Sequence, residues 1–283
     1  MALKIEKGAE IGFCFGVKRA VDILEKVARK YDGIETLGAL VHNQPLLKEL
    51  ENLGVRIAES VADVRGDALV ISAHGISPQL EEEIRARGIE IIDTTCPFVR
   101  RAQVAVRRLA ESGFFVIVYG DSGHSEVKGV LGWAENKGMA ALEVNQLLRL
   151  GQLPRHLGVL SQTTQIPAHF TRFVKELIEA TFSKDSELRI IDTICYDIRN
   201  RQEAALELAN KVDLMLVIGG HNSANTNRLA ELCSTVTRTH LVEAAEEIEL
   251  AWLQDRYHIG LTAGASTAEQ TINEVMAKLE SMA

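Results

Sequence analysis

Three times along the chain, a cysteine is followed by apolar residues at helical spacing and then by an unbroken apolar run that stops at glycine. After Cys14, the positions Val17, Ala20, Val21, Leu24 and Val27 recur at the intervals of one helix face, and Ala204, Ala205, Leu208 and Ala209 do so after Cys195. The segment VRRAQVAVRRLAESG after Cys96 has the same place. The apolar runs IETLG, FVIVYG and LMLVIGG read as strands, and each ends in a glycine 24 residues past its cysteine: Gly38, Gly120 and Gly219. At 28 residues past the cysteines stand His42, His124 and Ser223. A second strand follows in each repeat, ALVISAHG, LGVLSQTT and IGLTAGAS, reaching His74, Thr164 and Ser266, and a helical pattern such as SPQLEEEIRARG comes next. Strand and helix alternate throughout, which predicts an α/β fold with parallel sheets. The fixed spacing predicts three repeated lobes, 12–93 with Cys14, 94–192 with Cys96 and 193–283 with Cys195, and leaves 1–11 as an N-terminal strand of unassigned lobe.

Composition narrows the function. The 283 residues are 46% hydrophobic and 25% charged, the balance of a soluble globular protein. A formal net charge of −8 argues against nucleic acid as the main partner. The start MALKIEKGAEIGF lacks the apolar run of a signal peptide, and no apolar stretch approaches a membrane span, so the expected location is cytoplasmic. In that compartment Cys14, Cys96, Cys195 and Cys233 are expected as metal ligands or nucleophiles rather than disulfides. No CxxC pair is present.

The phrase DTTCPFV at 93–99 returns as DTICYDI at 192–198 because each marks the start of a repeat. If the repeats surround a pseudo-threefold axis, Cys14, Cys96 and Cys195 meet at the centre; a linear array would keep them apart. Three symmetric thiolates suit a [4Fe–4S] cubane, whose fourth iron then lacks a protein ligand and is an open Lewis acid. The alternative is three buried apolar cysteines, but each lies between a strand and a helix N-terminus, where the helix dipole favours a thiolate. Cys233, mid-helix in RLAELCSTV, reads as core.

The strand ends carry His42, His74, His124, Glu126, Gln162, Thr163, Thr164, Asn222, Ser223, Asn225, Thr226 and Ser266. Loops at those ends form the ligand crevice in α/β folds. Imidazole, hydroxyl and amide donors suit an oxyanion such as a diphosphate, and neither a Walker loop nor GxGxxG is present. Singly, each is as readily a cap or turn residue. Glu126 is the only carboxylate of the set; beside a desolvated anionic cluster it would hold its proton as a general acid, whereas a solvated loop glutamate is the plain alternative. Basic residues follow each cysteine (Lys18, Arg19, Arg100, Arg101, Arg199, Arg201), with Arg107 and Arg108 further along. They offset cluster charge, dock an acidic electron carrier, or are ordinary solvated surface.

The ordered segments GFCFGVKRAVD, SAHGISP, DTTCPFV, GHSEV, SQTT, DTICY, NRQ, NSANTNR and TAGAS resemble the 4-hydroxy-3-methylbut-2-enyl diphosphate reductase family of the non-mevalonate isoprenoid pathway, over the whole chain. The resemblance implies a three-lobed α/β protein holding an oxygen-sensitive [4Fe–4S] cluster through Cys14, Cys96 and Cys195. It implies a diphosphate site of His42, His74, His124, Ser223, Asn225 and Ser266, with Asn222 nearby. It further implies proton supply from Glu126, with Thr163 or Thr164 ordering the hydroxyl end and a ferredoxin or flavodoxin as electron donor. The implied reaction breaks the allylic C–O bond and releases water, giving isopentenyl or dimethylallyl diphosphate without an organic redox cofactor.

This chain departs from the usual family pattern in several places. It reads NSAN for NSSN, so Ala224 lacks a hydroxyl, and CYDI for CYAT, so Ile198 lacks a hydroxyl and Asp197 adds a charge. Gln103 stands where histidine is frequent, and HNQPL and GHSEV replace HNPQ and GHPEV. Each hydrogen bond to a charged group lost in this way is worth about 1.5–3 kcal/mol. Two rival readings remain open at this level: a quinolinate-synthase-like three-cysteine dehydratase, which should line its loops with arginines, and a non-enzymatic iron–sulfur sensor.

Overall fold

The computed structural model describes residues 3–31, 33–40, 44–149, 151, 153–183 and 185–282. In chain order its strands are β1 (Lys4–Lys7), β2 (Glu35–Leu37), β3 (Arg56–Ala58), β4 (Ala68–Ile71), β5 (Glu90–Asp93), β6 (Phe115–Tyr119), β7 (Gly138–Ala141), β8 (His156–Ser161), β9 (Glu187–Ile191), β10 (Leu214–Ile218), β11 (Thr239–Val242) and β12 (His258–Ala263). They form three four-stranded sheets, ordered β5-β4-β2-β3, β9-β8-β6-β7 and β1-β12-β10-β11, with every pairing parallel.

The three orders are the same order. The two apolar runs of each repeat occupy the centre, and the strand that leads to a cysteine takes one edge. β5 leads to Cys96 and β9 to Cys195, so β1, which leads to Cys14, is their counterpart, and it pairs with β12. The N-terminal strand left unassigned above therefore belongs to the third sheet. The outer strands β3, β5, β7, β9 and β11 escaped the hydrophobic reading because they are short and half-exposed, whereas β4, β8, β10 and β12 are buried along nearly their whole length.

The chain divides into two compact units: a smaller one of Met1–Lys18, Val41–Glu49 and Tyr196–Ala283, and a larger one of Arg19–Leu40 and Leu50–Cys195. In the smaller unit, Leu214, Leu216 and Ile218 of β10 pack with Ile272, Val275 and Leu279 of helix Glu269–Met282. Met215 and Val217 point the other way, to Leu208 of helix Tyr196–Ala209 and Leu229 of helix Ala224–Ser234. The period-two alternation thus feeds two apolar layers, as a parallel sheet covered on both faces requires. In the larger unit β6 does the same: Val116 and Val118 pack with Val99 and Val106 of helix Pro97–Glu111, and Ile117 and Tyr119 with Phe173 and Leu177 of helix Pro167–Thr181.

Two glycines set how closely the two sheets of the larger unit approach. A Cβ on Gly129 would lie 2.9 Å from the Gly75 carbonyl oxygen, and one on Gly132 would lie 2.1 Å from Ser77 Cβ. With hydrogen in those places, helix Ser125–Leu131 lies directly on the loop that follows β4. That loop is pinned at Ile76, whose carbonyl accepts from Trp133 Nε1 at 3.1 Å and Gln103 Nε2 at 3.3 Å. Among the described residues, no helix is long and apolar enough to cross a membrane. Gly129→Ala puts a methyl against backbone that cannot rotate away; it is expected to cost about 1–3 kcal/mol, read as a lowered midpoint in thermal unfolding.

Candidate functional site

The repeated phrase has a physical role at each letter. In the larger unit, Asp93 Oδ1 accepts from Thr95 N–H at 2.8 Å, and Asp192 Oδ1 accepts from Ile194 N–H at 3.1 Å. Thr94 and Thr193 each donate a hydroxyl to the last carbonyl of the neighbouring strand, at Ile71 and Ser161. The cysteine N–H then donates two residues beyond that strand end: Cys96 to Ala73 O and Cys195 to Thr163 O, both at 3.0 Å. Cys14 of the smaller unit follows the rule, donating to Ala265 O at 2.9 Å, two residues past β12. Its loop lacks the threonine. The buried Arg201 guanidinium serves instead, donating to the strand-end carbonyl of Ala263 at 3.1 Å and to Glu10 O at 2.9 Å.

Each cysteine stands at or just before a helix N-terminus: Phe15–Ala28, Pro97–Glu111 with Cys96 as its N-cap, and Tyr196–Ala209. Cys14 Sγ accepts the Val17 N–H at 3.4 Å. Burial pushes the Cys14 thiol up; the Val17 N–H opposes this and the Asp197 carboxylate adds to it. Asp197 is anchored by accepting the Phe15 N–H at 3.2 Å. Ile198 is buried, and Ala224 opens helix Ala224–Ser234. Cys233 is fully buried in the core, and burial pushes its thiol up to about 12.

In the larger unit a continuous chain of contacts links the expected site residues. His74 follows Ala73, the acceptor of Cys96, and its ring meets His124 edge-on at 5.3 Å. His124 caps helix Ser125–Leu131, its Nδ1 accepting the Glu126 N–H at 3.1 Å. With Nδ1 an acceptor, the neutral ring carries its proton on Nε2. Glu126 is only 3% exposed, so it is no solvated loop residue. Its Oε1 accepts the Thr163 N–H at 2.7 Å and its Oε2 the Thr163 hydroxyl at 2.8 Å. Burial raises the Glu126 carboxyl above the usual carboxylate range against the pull of those two bonds. Thr163 in turn offers its carbonyl to Cys195. The neighbouring Thr164 hydroxyl is buried and has no hydrogen-bond partner among the described residues.

In the smaller unit, Ser223 caps helix Ala224–Ser234 through Thr226 N–H at 3.4 Å, and Ser266 is half-buried, next to the Cys14 acceptor Ala265. Asn225 is buried with both ends of its amide unpartnered among the described residues, as is the Thr226 hydroxyl. An unsatisfied buried polar group costs about 1–3 kcal/mol, a penalty a bound polar ligand would remove. Asn222 is exposed. His42 lies outside the described residues. The sequence marks Arg201 only as a basic residue, because nothing local distinguishes a guanidinium that stands in for the threonine missing at Gly12, 189 residues earlier.

Among the described residues, no group of three or more His, Cys, Asp or Glu side chains is placed to hold a single metal ion. The donor set is instead one soft sulfur per repeat, each at a helix N-terminus. Such thiols suit a polynuclear, anionic group whose metals take one thiolate apiece.

These features define an α/β repeat protein that offers one cysteine beside each like-ordered parallel sheet. The chain belongs to the LytB protein family, which matches residues 5–280. A relative from Dehalococcoides mccartyi strain CBDB1, named 4-hydroxy-3-methylbut-2-enyl diphosphate reductase, is 55% identical over 98% of this chain and 98% of its own. One of the same name from Geotalea daltonii is 40% identical over 99% and 98%. The solved structure of the E-1-hydroxy-2-methyl-but-2-enyl-4-diphosphate reductase from Plasmodium falciparum superposes with a TM-score of 0.91 at 28% identity, covering 98% of this chain and 88% of that one. A second solved reductase, the terminal enzyme of the non-mevalonate pathway, gives 0.70 at 35% identity over 99% of both chains.

A raised Glu126 pKa makes the folded state bind a proton that the unfolded state gives up at about pH 4.3. Stability is therefore highest below that pH and falls as pH rises towards the folded-state value, above which the loss is constant. Glu126→Gln lacks this loss, so its stability relative to the parent protein should rise with pH from 4 upward in urea titrations. Equal pH dependence of the two would contradict the assignment.

Proposed function

We propose that the chain reduces 4-hydroxy-3-methylbut-2-enyl diphosphate to isopentenyl diphosphate and dimethylallyl diphosphate. The allylic C–O bond breaks, two electrons and two protons enter, and one water leaves. The observation that carries this reading is the buried Glu126 carboxyl joined through Thr163 to the backbone of Cys195. Desolvation favours the protonated form of this carboxyl, and its bonds to Thr163 fix it to the segment that bears Cys195.

Cys14, Cys96 and Cys195 would hold a [4Fe–4S] cluster, which when bound supplies electrons singly and an iron open to the substrate hydroxyl. The sulfur donors at helix N-termini support that assignment. Glu126 provides the proton that turns the departing hydroxyl into water. The Thr163 hydroxyl donates to Glu126 Oε2, and a hydroxyl oxygen can also accept, so this contact is a route by which the proton could be relayed. The unpartnered Thr164 hydroxyl is free to orient the substrate alcohol. His74, His124, Ser223, Asn225 and Ser266 would take the diphosphate, with His42 and Asn222 beside them. For His124 the binding atom is Nε2, since Nδ1 is committed to the helix cap. The division into lobes 12–93, 94–192 and 193–283 follows the same reading. Electrons would come from a ferredoxin or flavodoxin type protein.

Two variants test the roles separately. Glu126→Gln keeps the shape and the Thr163 contact but has no proton to give; it should retain iron and sulfide while turnover falls by about 10²–10⁴. Cys195→Ser should lose iron in proportion to activity. Full turnover in the glutamine variant, or full iron retention in the serine variant, would remove the corresponding role.

A further inference from the structure

The proposed two-electron reduction draws its electrons from outside the chain, so an electron carrier must dock. One surface of the larger unit is built for such contact. An open groove of about 700 Å³ runs between helix Pro97–Glu111 and β9. Its floor is apolar, formed by Val104, Ala105, Leu109 and Ile191. Its rim holds four arginines, Arg100, Arg101, Arg108 and Arg189, against the single carboxylate of Glu111, in a chain whose net charge is −8. Glu111 is already engaged by Arg107 at 3.1 Å. Arg100 pairs with Asp93, and Arg189 pairs with Glu187 and lies 4.2 Å over the Phe114 ring. Arg101 and Arg108 are exposed and have no ionic partner among the described residues.

We propose that this groove is the docking surface for a small acidic protein that carries one electron at a time. An apolar centre ringed by arginine is the anatomy of a protein interface. A positive rim on a negative protein steers an acidic partner to one place and repels it elsewhere. The helix that forms one wall is capped by Cys96, so the groove begins within a turn of a residue assigned to the cluster. The groove is open and aims no buried polar group inward, which disfavours a small-molecule ligand. The proposal rests on the reductase reading for its need of electrons, but docking can be measured without turnover.

The test uses the reconstituted full chain and an acidic [2Fe–2S] ferredoxin. Arg101→Glu/Arg108→Glu should weaken ferredoxin binding at least tenfold by calorimetry at low salt and lower kcat/KM for reduced ferredoxin to match. Turnover with reduced methyl viologen, which needs no docking surface, should stay within twofold. Arg101→Gln/Arg108→Gln should give an intermediate loss and should reduce the salt dependence of binding. Arg172→Glu alters charge on helix Pro167–Thr181, which packs on the opposite face of the same sheet, and should change neither quantity. Unchanged ferredoxin affinity in the double glutamate variant, or an equal loss in Arg172→Glu, would overturn the proposal. If viologen turnover is absent in the parent chain, the reductase reading fails, and the binding comparison still decides the groove.

Discussion

The structure depends on a short tie made three times: the N–H of each cysteine donates to a carbonyl two residues past the end of the adjacent strand. That bond fixes the loop between an edge strand and the next helix, so the thiol is set at a helix N-terminus and the following strand-end residue is brought beside it. Because the acceptors Ala73, Thr163 and Ala265 immediately precede His74, Thr164 and Ser266, the same tie that places a sulfur places a polar side chain. On the proposed reading, metal binding and substrate recognition share one backbone device. A repeated fold can supply both without a dedicated binding domain.

In the larger unit, packing joins that device to a buried carboxyl. Gly129 and Gly132 let a helix lie on the loop after β4, which brings His74 against His124. The histidine cap holds Glu126 at the start of that helix, where burial raises its carboxyl above the usual range and Thr163 donates to both carboxyl oxygens. Each step has a local cause, and each uses a residue whose alternative would cost something specific: a methyl too many, an uncapped helix, or a lone buried carboxylate.

The fold was legible where periodicity is strong. The central strands and the helices after each cysteine stood out because they are buried on both faces or along one stripe. The outer strands did not, since three or four half-exposed residues such as Arg56–Ala58 carry no clear alternation. The cysteines, His124 and Ser223 could be singled out from fixed offsets, and Glu126 as the only carboxylate among the strand-end residues. The bond from Thr163 to Glu126 could not, because it joins residues 37 apart that only the pairing of β6 with β8 brings together. The role of Arg201 was hidden for a similar reason: a long side chain from one helix does what a short threonine does in the other repeats. Asn222, chosen with its neighbours, is exposed, whereas Asn225 three residues on is buried, a distinction set by the helix phase after the Ser223 cap.

The central claim is a two-electron dehydroxylation. Its most direct test is anaerobic: reduced methyl viologen is mixed with the reconstituted protein and 4-hydroxy-3-methylbut-2-enyl diphosphate in heavy water, with iron and sulfide assayed on the same sample. Oxidation of two viologens per product is expected on adding substrate, with isopentenyl and dimethylallyl diphosphates each carrying one deuterium from solvent. An intact four-iron cluster with no viologen oxidised on adding this substrate would contradict it.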